Sequence, residues 1–248
     1  MHRCFIQPGN IVGDRIKLDR KESYHLKTVL RIRIGDELIG FDGSGHEYQL
    51  VITALEKEYA EARMLSTYIS PVESPVRIIL AQALVKGEKM DFILQKAVEL
   101  GVAAVVPLIS QHVAFNLAVN KYAAKQERWQ AIVLEACKQS GRTIIPQVYP
   151  IISWTEYLTR LSEEKSLNLL CYEKSAPPIK TVLRSSVAEG CSCFQVMIGP
   201  EGGWAETEIA SAEHYGVHFV SLGPRILRTE TAGLAALSIL QYENGGMQ

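Results

Sequence analysis

The stretch FQVMIGPEGGWAETEI, residues 194 to 209, constrains the possible folds of this chain more than any other. Phe194 to Ile198 is a short apolar run of the kind that fills a strand covered on both faces. Gly199, Gly202 and Gly203 follow at once, and glycine lets another molecule approach the backbone closely. Glu206 and Glu208 then suit a helix N-terminus, and Gly216 supplies a stop. A second unit repeats the order: Val217 to Leu222 as a strand, Gly223-Pro224 as a turn, and RILRTETAG leading into a helix from about Thr229. Two such units in a row place two loops side by side at one sheet edge, where open α/β folds put their sites. Neither loop has the GxGxxG spacing or the GK[ST] ending of a common phosphate motif. Plain turns are the competing reading, weakened by Arg225, Arg228 and Glu230 in the second loop.

The rest of the chain divides by rhythm. Residues 1 to 72 are rich in short strand-like runs: RIKL, DELIGF, HEYQLVITAL and AEARMLSTY. Asp42-Gly43-Ser44-Gly45 is a hairpin signal, and one short helix is expected from Glu22 to Leu30. This pattern reads as a small β-barrel, with Pro71, Ser74 and Pro75 marking a linker. The second domain, 73–248, alternates strands and helices. VRIILAQAL, VAAVVPLI, QVYPII and LNLLCYE read as strands. Helices are expected near 88–100, 121–140, 155–163 and 179–188. In the first of these, Met90, Ile93, Leu94, Ala97 and Val98 form one apolar stripe. The alternation predicts an α/β domain with a mostly parallel sheet. The last helix, TETAGLAALSILQYEN, is apolar almost all round, which suits burial between its own sheet and a second subunit or within its own chain.

A net charge of −1 gives no global reason to bind nucleic acid, but the charge is uneven. Residues 1–33 hold eight Lys/Arg against three Asp/Glu, a net of +5, and residues 34–70 a net of −5. The first stretch is a candidate basic face, with solvated surface as the plainer alternative. Cys4, Cys137, Cys171, Cys191 and Cys193 are odd in number and include no CxxC, so no zinc site is expected and a reduced cytoplasmic protein fits best. His214 and His218 have helical metal spacing, but Gly216 between them ends the helix. The N-terminus has no apolar signal region. Residues 100–120 carry no Asp, Glu, Lys or Arg, yet Pro107, His112, Asn116 and Asn120 make them a strand plus loop rather than a membrane span.

IGPEGGW followed by LG-x-RILRTETA resembles the ribosomal small-subunit RNA methyltransferase E family, of the SPOUT superfamily of knotted methyltransferases. HLKTVLRIRIGDELIGFDGSG is similar to that family's RNA-binding barrel, which resembles PUA domains. KGEKMDFILQKAVELGV and RWQAIVLEACKQSGR also look like its segments, so the resemblance covers nearly the whole chain. It implies methyl transfer from S-adenosyl-L-methionine to N3 of one uridine in 16S rRNA of the small ribosomal subunit. It also implies a homodimer and a trefoil knot in the last third of the chain, and no metal or membrane.

Carried onto this sequence, the cofactor loops are Tyr172 and Glu173; Ile198, Gly199, Pro200, Glu201, Gly202 and Gly203; and Leu222, Gly223, Ile226, Leu227, Arg228, Thr231 and Ala232. Backbone groups of Leu222, Ile226 and Leu227 are the candidates to hold the adenine. Loss of the N3 proton develops negative charge on uracil, which an arginine beside the ring stabilises. Arg228 is the first candidate for that role and Arg142 the second, with Glu201 orienting the cofactor or an arginine. No general base stands out. Arg3, Arg15, Lys17, Arg20, Lys27, Arg31 and Arg33 are the candidate phosphate contacts. Competing readings are a ribose 2′-O-methyltransferase of the same superfamily, an RNA-binding assembly factor with a degenerate cofactor site, and an enzyme using a nucleotide at the glycine loops.

Overall fold

The computed structural model describes residues 2–114, 118–161, 165–185 and 189–247. The chain divides into two compact units. One comprises Met1–Glu73 with Cys137–Ile145, and the other Ser74–Ala136 with Pro146–Gln248.

The N-terminal unit contains β1 (Arg3–Phe5), β2 (Ile11–Val12), β3 (Arg15–Leu18), α1 (Arg20–Tyr24), β4 (Glu37–Phe41), β5 (His46–Leu55) and β6 (Ala60–Ile69). Asp19 caps α1 by accepting from the Glu22 N–H at 2.8 Å, and the helix runs on into a π-type turn over His25–Val29. The strands pair in the order β1-β4-β5-β6-β3-β2, with β1–β4 parallel and the other pairs antiparallel. The unit expected as a barrel is thus a six-stranded mixed sheet with β1 and β2 at its ends. Alternation decides its faces. In β3, Ile16 and Leu18 join the core with Leu26, Leu38, Leu50 and Ile52, while Arg15 and Lys17 face outward. The β4–β5 connection turns through Gly43 and Gly45, at φ +86° and +102°, and Asp42 accepts from the Ser44 N–H at 2.9 Å.

Segment 137–145 belongs to this unit because Glu73 gathers it. The Glu73 carboxylate accepts from Arg142 Nη2 at 2.6 Å and from the N–H groups of Thr143 at 2.9 Å and Ile144 at 3.0 Å. Burial pushes the Glu73 carboxyl up, but the Arg142 guanidinium and the two backbone donors outweigh it and hold it below its ordinary value. A carboxylate depressed in the folded state stabilises fully above its unfolded pKa, and that stability is lost as pH falls. Glu73→Gln should therefore be less stable at neutral pH and lose less on acidification. Thermal melts of both proteins at pH 7 and pH 4 check this: the gap between them should narrow at pH 4.

The second unit contains β7 (Arg77–Ala83), α2 (Lys89–Glu99), β8 (Ala104–Ile109), α3 (Tyr122–Ser140), β9 (Gln147–Val148), β10 (Ile152–Ser153), α4 (Trp154–Leu161), β11 (Leu167–Cys171), α5 (Ile179–Leu183), β12 (Cys193–Ile198), α6 (Glu206–His214), β13 (His218–Val220) and α7 (Thr229–Glu243). The last turn of α3 is part of the N-terminal unit. The sheet order is β10-β8-β7-β12-β11-β13, with β9 also on β8, and every pairing is parallel. Helices cover both faces. Ile79 and Ala81 of β7 pack in one cluster with α4 and with Ala212 of α6, whereas Leu80 faces Gly233 of α7.

Several boundaries differ from expectation. QVYPII is two short strands, because Pro150 has no N–H to donate to the ladder. The strand expected over 217–222 is three residues long. The helix expected over 179–188 ends at Leu183, and residues 186–188 lie outside the described residues, as do Glu163 at the end of the α4 expectation and Asn116 in the uncharged stretch. No described helix is long and apolar enough to cross a membrane.

Candidate functional site

Parallel strands β7, β12 and β11 end together, and their following loops meet the N-terminal turn of α7. The loop after β12 turns through Gly203 at φ +73°. Gly202 is hemmed in, since a Cβ there would lie 2.9 Å from His112 Cβ and 3.1 Å from its carbonyl oxygen. Glu208 anchors the loop, accepting from the Ala205 N–H and, across to the loop after β8, from the Gln111 N–H, both at 2.9 Å. Trp204 closes the floor against Trp154, ring centroids 4.6 Å apart.

A hydrogen-bond chain ties this loop to the sheet and to α7. Buried Gln82 donates to Thr229 Oγ1 at 3.0 Å, and Thr229 Oγ1 donates to the Gly199 carbonyl at 2.6 Å. On the rim, Lys89 Nζ lies 3.0 Å from Glu201 Oε1 and 3.7 Å from Glu230 Oε2. Burial pushes the Glu201 carboxyl up, but Lys89 and backbone donors override it, leaving it below its ordinary value. The Lys89 ammonium is correspondingly raised, chiefly by its hydrogen bond to Glu201.

These elements enclose a cleft of about 480 Å³, within the range of small-molecule sites, roughly 300–1,000 Å³. Of the residues expected from the sequence, Glu173, Ile198, Gly199, Pro200, Glu201, Gly202, Gly203, Ile226, Leu227, Arg228 and Ala232 line it. Tyr172, Leu222 and Gly223 line a smaller adjoining pocket that shares Glu173, Ile226 and Leu227. Thr231 lines neither and is exposed. Lys89, Cys171, Trp204 and Thr229 complete the cleft and were not among the expected residues. Lys89 and Trp204 sit inside the family-like segments KGEKMD and GPEGGW, and that was their available signal. Burial pushes the Cys171 thiol up to about 12, so it stays neutral.

Arg228 is exposed and makes no ion pair among the described residues. The nearby acid Glu230 faces Lys89 instead. Arg142 is not among the residues that line the cleft; it belongs to the N-terminal unit, buried against Glu73. Arg3 departs from the expected surface contact. Its guanidinium pairs with buried Glu47, donates to the Gly141 and Arg142 carbonyls at 3.1 and 3.2 Å, and stacks over Phe41. Arg20 pairs with Glu58 at 2.9 Å, and Lys27 donates to the Glu56 and Lys57 carbonyls. Arg15, Lys17, Arg31 and Arg33 are exposed. No cluster of His, Cys, Asp and Glu among the described residues is arranged to hold a metal.

The cleft has the size of a nucleoside site. It has a glycine-lined wall for close approach, and its charged lining sets Glu173 and Glu201 against Lys89, which is paired with Glu201, and Arg228. The buried Trp204 Nε1 has no hydrogen-bond partner among the described residues. Residues 72–241 match the family model of an RNA methyltransferase domain, and 18–65 that of an RNA methyltransferase PUA domain. Ribosomal RNA small subunit methyltransferase E of Buchnera aphidicola is 34% identical over 99% of this chain and 97% of its own. The Bacillus subtilis protein of that name is 32% identical over 90% of this chain and 88% of its own. A solved structure of ribosomal RNA small subunit methyltransferase E from Neisseria gonorrhoeae, bound to S-adenosyl methionine, is 38% identical. It covers 98% of both chains with a TM-score of 0.89. A putative methyltransferase from Legionella pneumophila, also solved with that cofactor, is 32% identical, covers 97% of both and has a TM-score of 0.87.

Proposed function

The chain belongs to the ribosomal RNA small subunit methyltransferase E family, and from that premise we propose that it methylates N3 of one uridine in 16S rRNA, using S-adenosylmethionine. The observation that carries this reading is the cleft itself: eleven residues assigned to the cofactor from sequence line one cavity, and one of them, Arg228, makes no ion pair among the described residues. The cofactor supplies a methyl group already activated on a sulfonium, so the chain's task is placement and electrostatics. The glycine wall and the Leu227 backbone hold the adenosine part, and the Glu173 carboxylate favours the positive charge, Glu201 being held by Lys89. Arg228 faces the uracil and stabilises the negative charge that develops as N3 loses its proton. Arg142, committed to Glu73, organises its own loop.

N3 lies on the Watson–Crick edge, so the uridine must enter the cleft unpaired. The N-terminal unit holds the flanking RNA. The protein acts as a homodimer, and its C-terminal stretch threads as a trefoil knot, a reading supported by β11 lying between β12 and β13 in the sheet order.

Nucleoside mass spectrometry of rRNA treated with the protein and cofactor tests the target atom. The expected product is 3-methyluridine. A 2′-O-methylated nucleoside would sink the base-methylation reading in favour of the ribose one. Lys89 sets the glycine loop against α7 and is a positioning residue. Its ion pairs are about a third exposed, and such pairs contribute roughly 0.2–1 kcal/mol. Lys89→Met should therefore weaken cofactor binding only a few-fold, and Lys89→Arg should restore it. Calorimetric titration with S-adenosylmethionine checks both.

A further inference from the structure

The outer face of the N-terminal sheet carries an arrangement that costs stability. Arg15 of β3 and Arg63 of β6 stand directly opposite one another in the antiparallel ladder, so both side chains leave the same face. Like charges in that position repel. Neither side chain has a hydrogen bond or ion pair to any described residue, and both are exposed. Their neighbours in the same row, Val12 on one side and Val51 on the other, offer no counter-charge. The basic residues nearby are treated differently: Arg20 is paired with Glu58, and Lys27 is tied to two carbonyls.

Arg15 and Arg63 border a hollow of about 460 Å³ that also includes Lys17, Glu61 and Thr53. Arg31 and Arg33, although exposed, do not border it. Glu61 faces Lys17 in register, and the Lys17 ammonium lies 4.1 Å from the Tyr59 ring centroid. The one carboxylate among the residues bordering the hollow, Glu61, stands opposite Lys17 and not in the row of the arginine pair, and it makes no ion pair with either arginine.

We propose that this face seats an RNA phosphodiester between Arg15 and Arg63, with the adjoining nucleotide over the hollow. The phosphate supplies the missing counter-charge, and two guanidinium forks suit its oxygens. The seat rests on the reading of the chain as an rRNA methyltransferase and adds Arg63 to its RNA contacts.

The test is the full-length Arg15→Gln/Arg63→Gln variant, assayed for binding to in vitro transcribed 16S rRNA over a salt series. Removing two phosphate-neutralising charges from a single-stranded site should make the salt slope shallower by about 1.4 and weaken binding on the order of 20-fold near 0.1 M salt. Melting temperature should hold or rise, because a repulsive pair is removed, and S-adenosylmethionine binding should not change. RNA affinity and slope equal to wild type would overturn the seat while leaving the methyltransferase reading intact. A lowered melting temperature with unchanged RNA binding would also overturn it, making the pair structural. Millimolar inorganic phosphate that stabilises wild type without competing with RNA would assign the arginines to a free anion instead. A wild-type protein that neither retains nor methylates rRNA would remove the reading beneath the proposal as well.

Discussion

Arg228→Ala should lower kcat for methyl transfer by about 10²–10³, the usual cost of removing one donor aimed at developing charge. Arg228 is exposed, has no ion-pair partner among the described residues, and lines the cleft where the loop leads into α7. An arginine held there without a carboxylate is free to meet a substrate. Removing it leaves the Gln82–Thr229–Gly199 hydrogen bonds in place, so cofactor affinity and melting temperature should stay close to wild type. Arg228→Lys should recover part of the rate, because a point charge replaces some of what the planar fork supplies. Single-turnover kinetics with saturating cofactor check this. Transfer within a few-fold of wild type would take Arg228 out of the chemistry.

Gly202→Val should weaken cofactor binding roughly 10- to 100-fold while the protein stays folded. A Cβ at this position meets His112 Cβ at 2.9 Å and the His112 carbonyl at 3.1 Å, and neither atom is the far end of a flexible side chain. The glycine loop must then move away from the loop after β8, although Glu208 bonds the two together. Overpacking of this kind costs about 1–3 kcal/mol. Here that cost falls on the wall that faces the adenosine, so affinity should drop roughly 10- to 100-fold. Melting temperature should fall only slightly, because the loop is not core. Unchanged cofactor affinity would mean that the 199–203 wall does not contact the ligand.

What the sequence made legible was local. The apolar run at 194–198, the glycines after it and the acids at 206 and 208 name a strand, a loop and a helix start without help from the rest of the chain. The DGSG hairpin and the stripe in α2 were readable for the same reason. What was hidden depends on partners distant in sequence. Nothing local marks Lys89 as the group shared by Glu201 and Glu230, or Gln82 as the donor to Thr229. Arg3 looked like one more surface cation in a basic stretch, and only Glu47 and the carbonyls at 141 and 142 make it a buried structural residue. The 137–145 segment follows a helix of the second unit, yet Glu73 recruits it to the first. The repulsion between Arg15 and Arg63 becomes visible only once the β3–β6 register is known.

The central claim is that this cleft transfers a methyl group to a uracil nitrogen of small-subunit RNA. Its most direct test is transfer from labelled S-adenosylmethionine to undermethylated small ribosomal subunits, with the position mapped by reverse-transcription arrest. The expected result is label at a single uridine, with a full stop there because a methyl on N3 blocks pairing. Cofactor binding without label on subunits or free 16S rRNA would contradict the claim and leave an RNA-binding factor with an idle cofactor site.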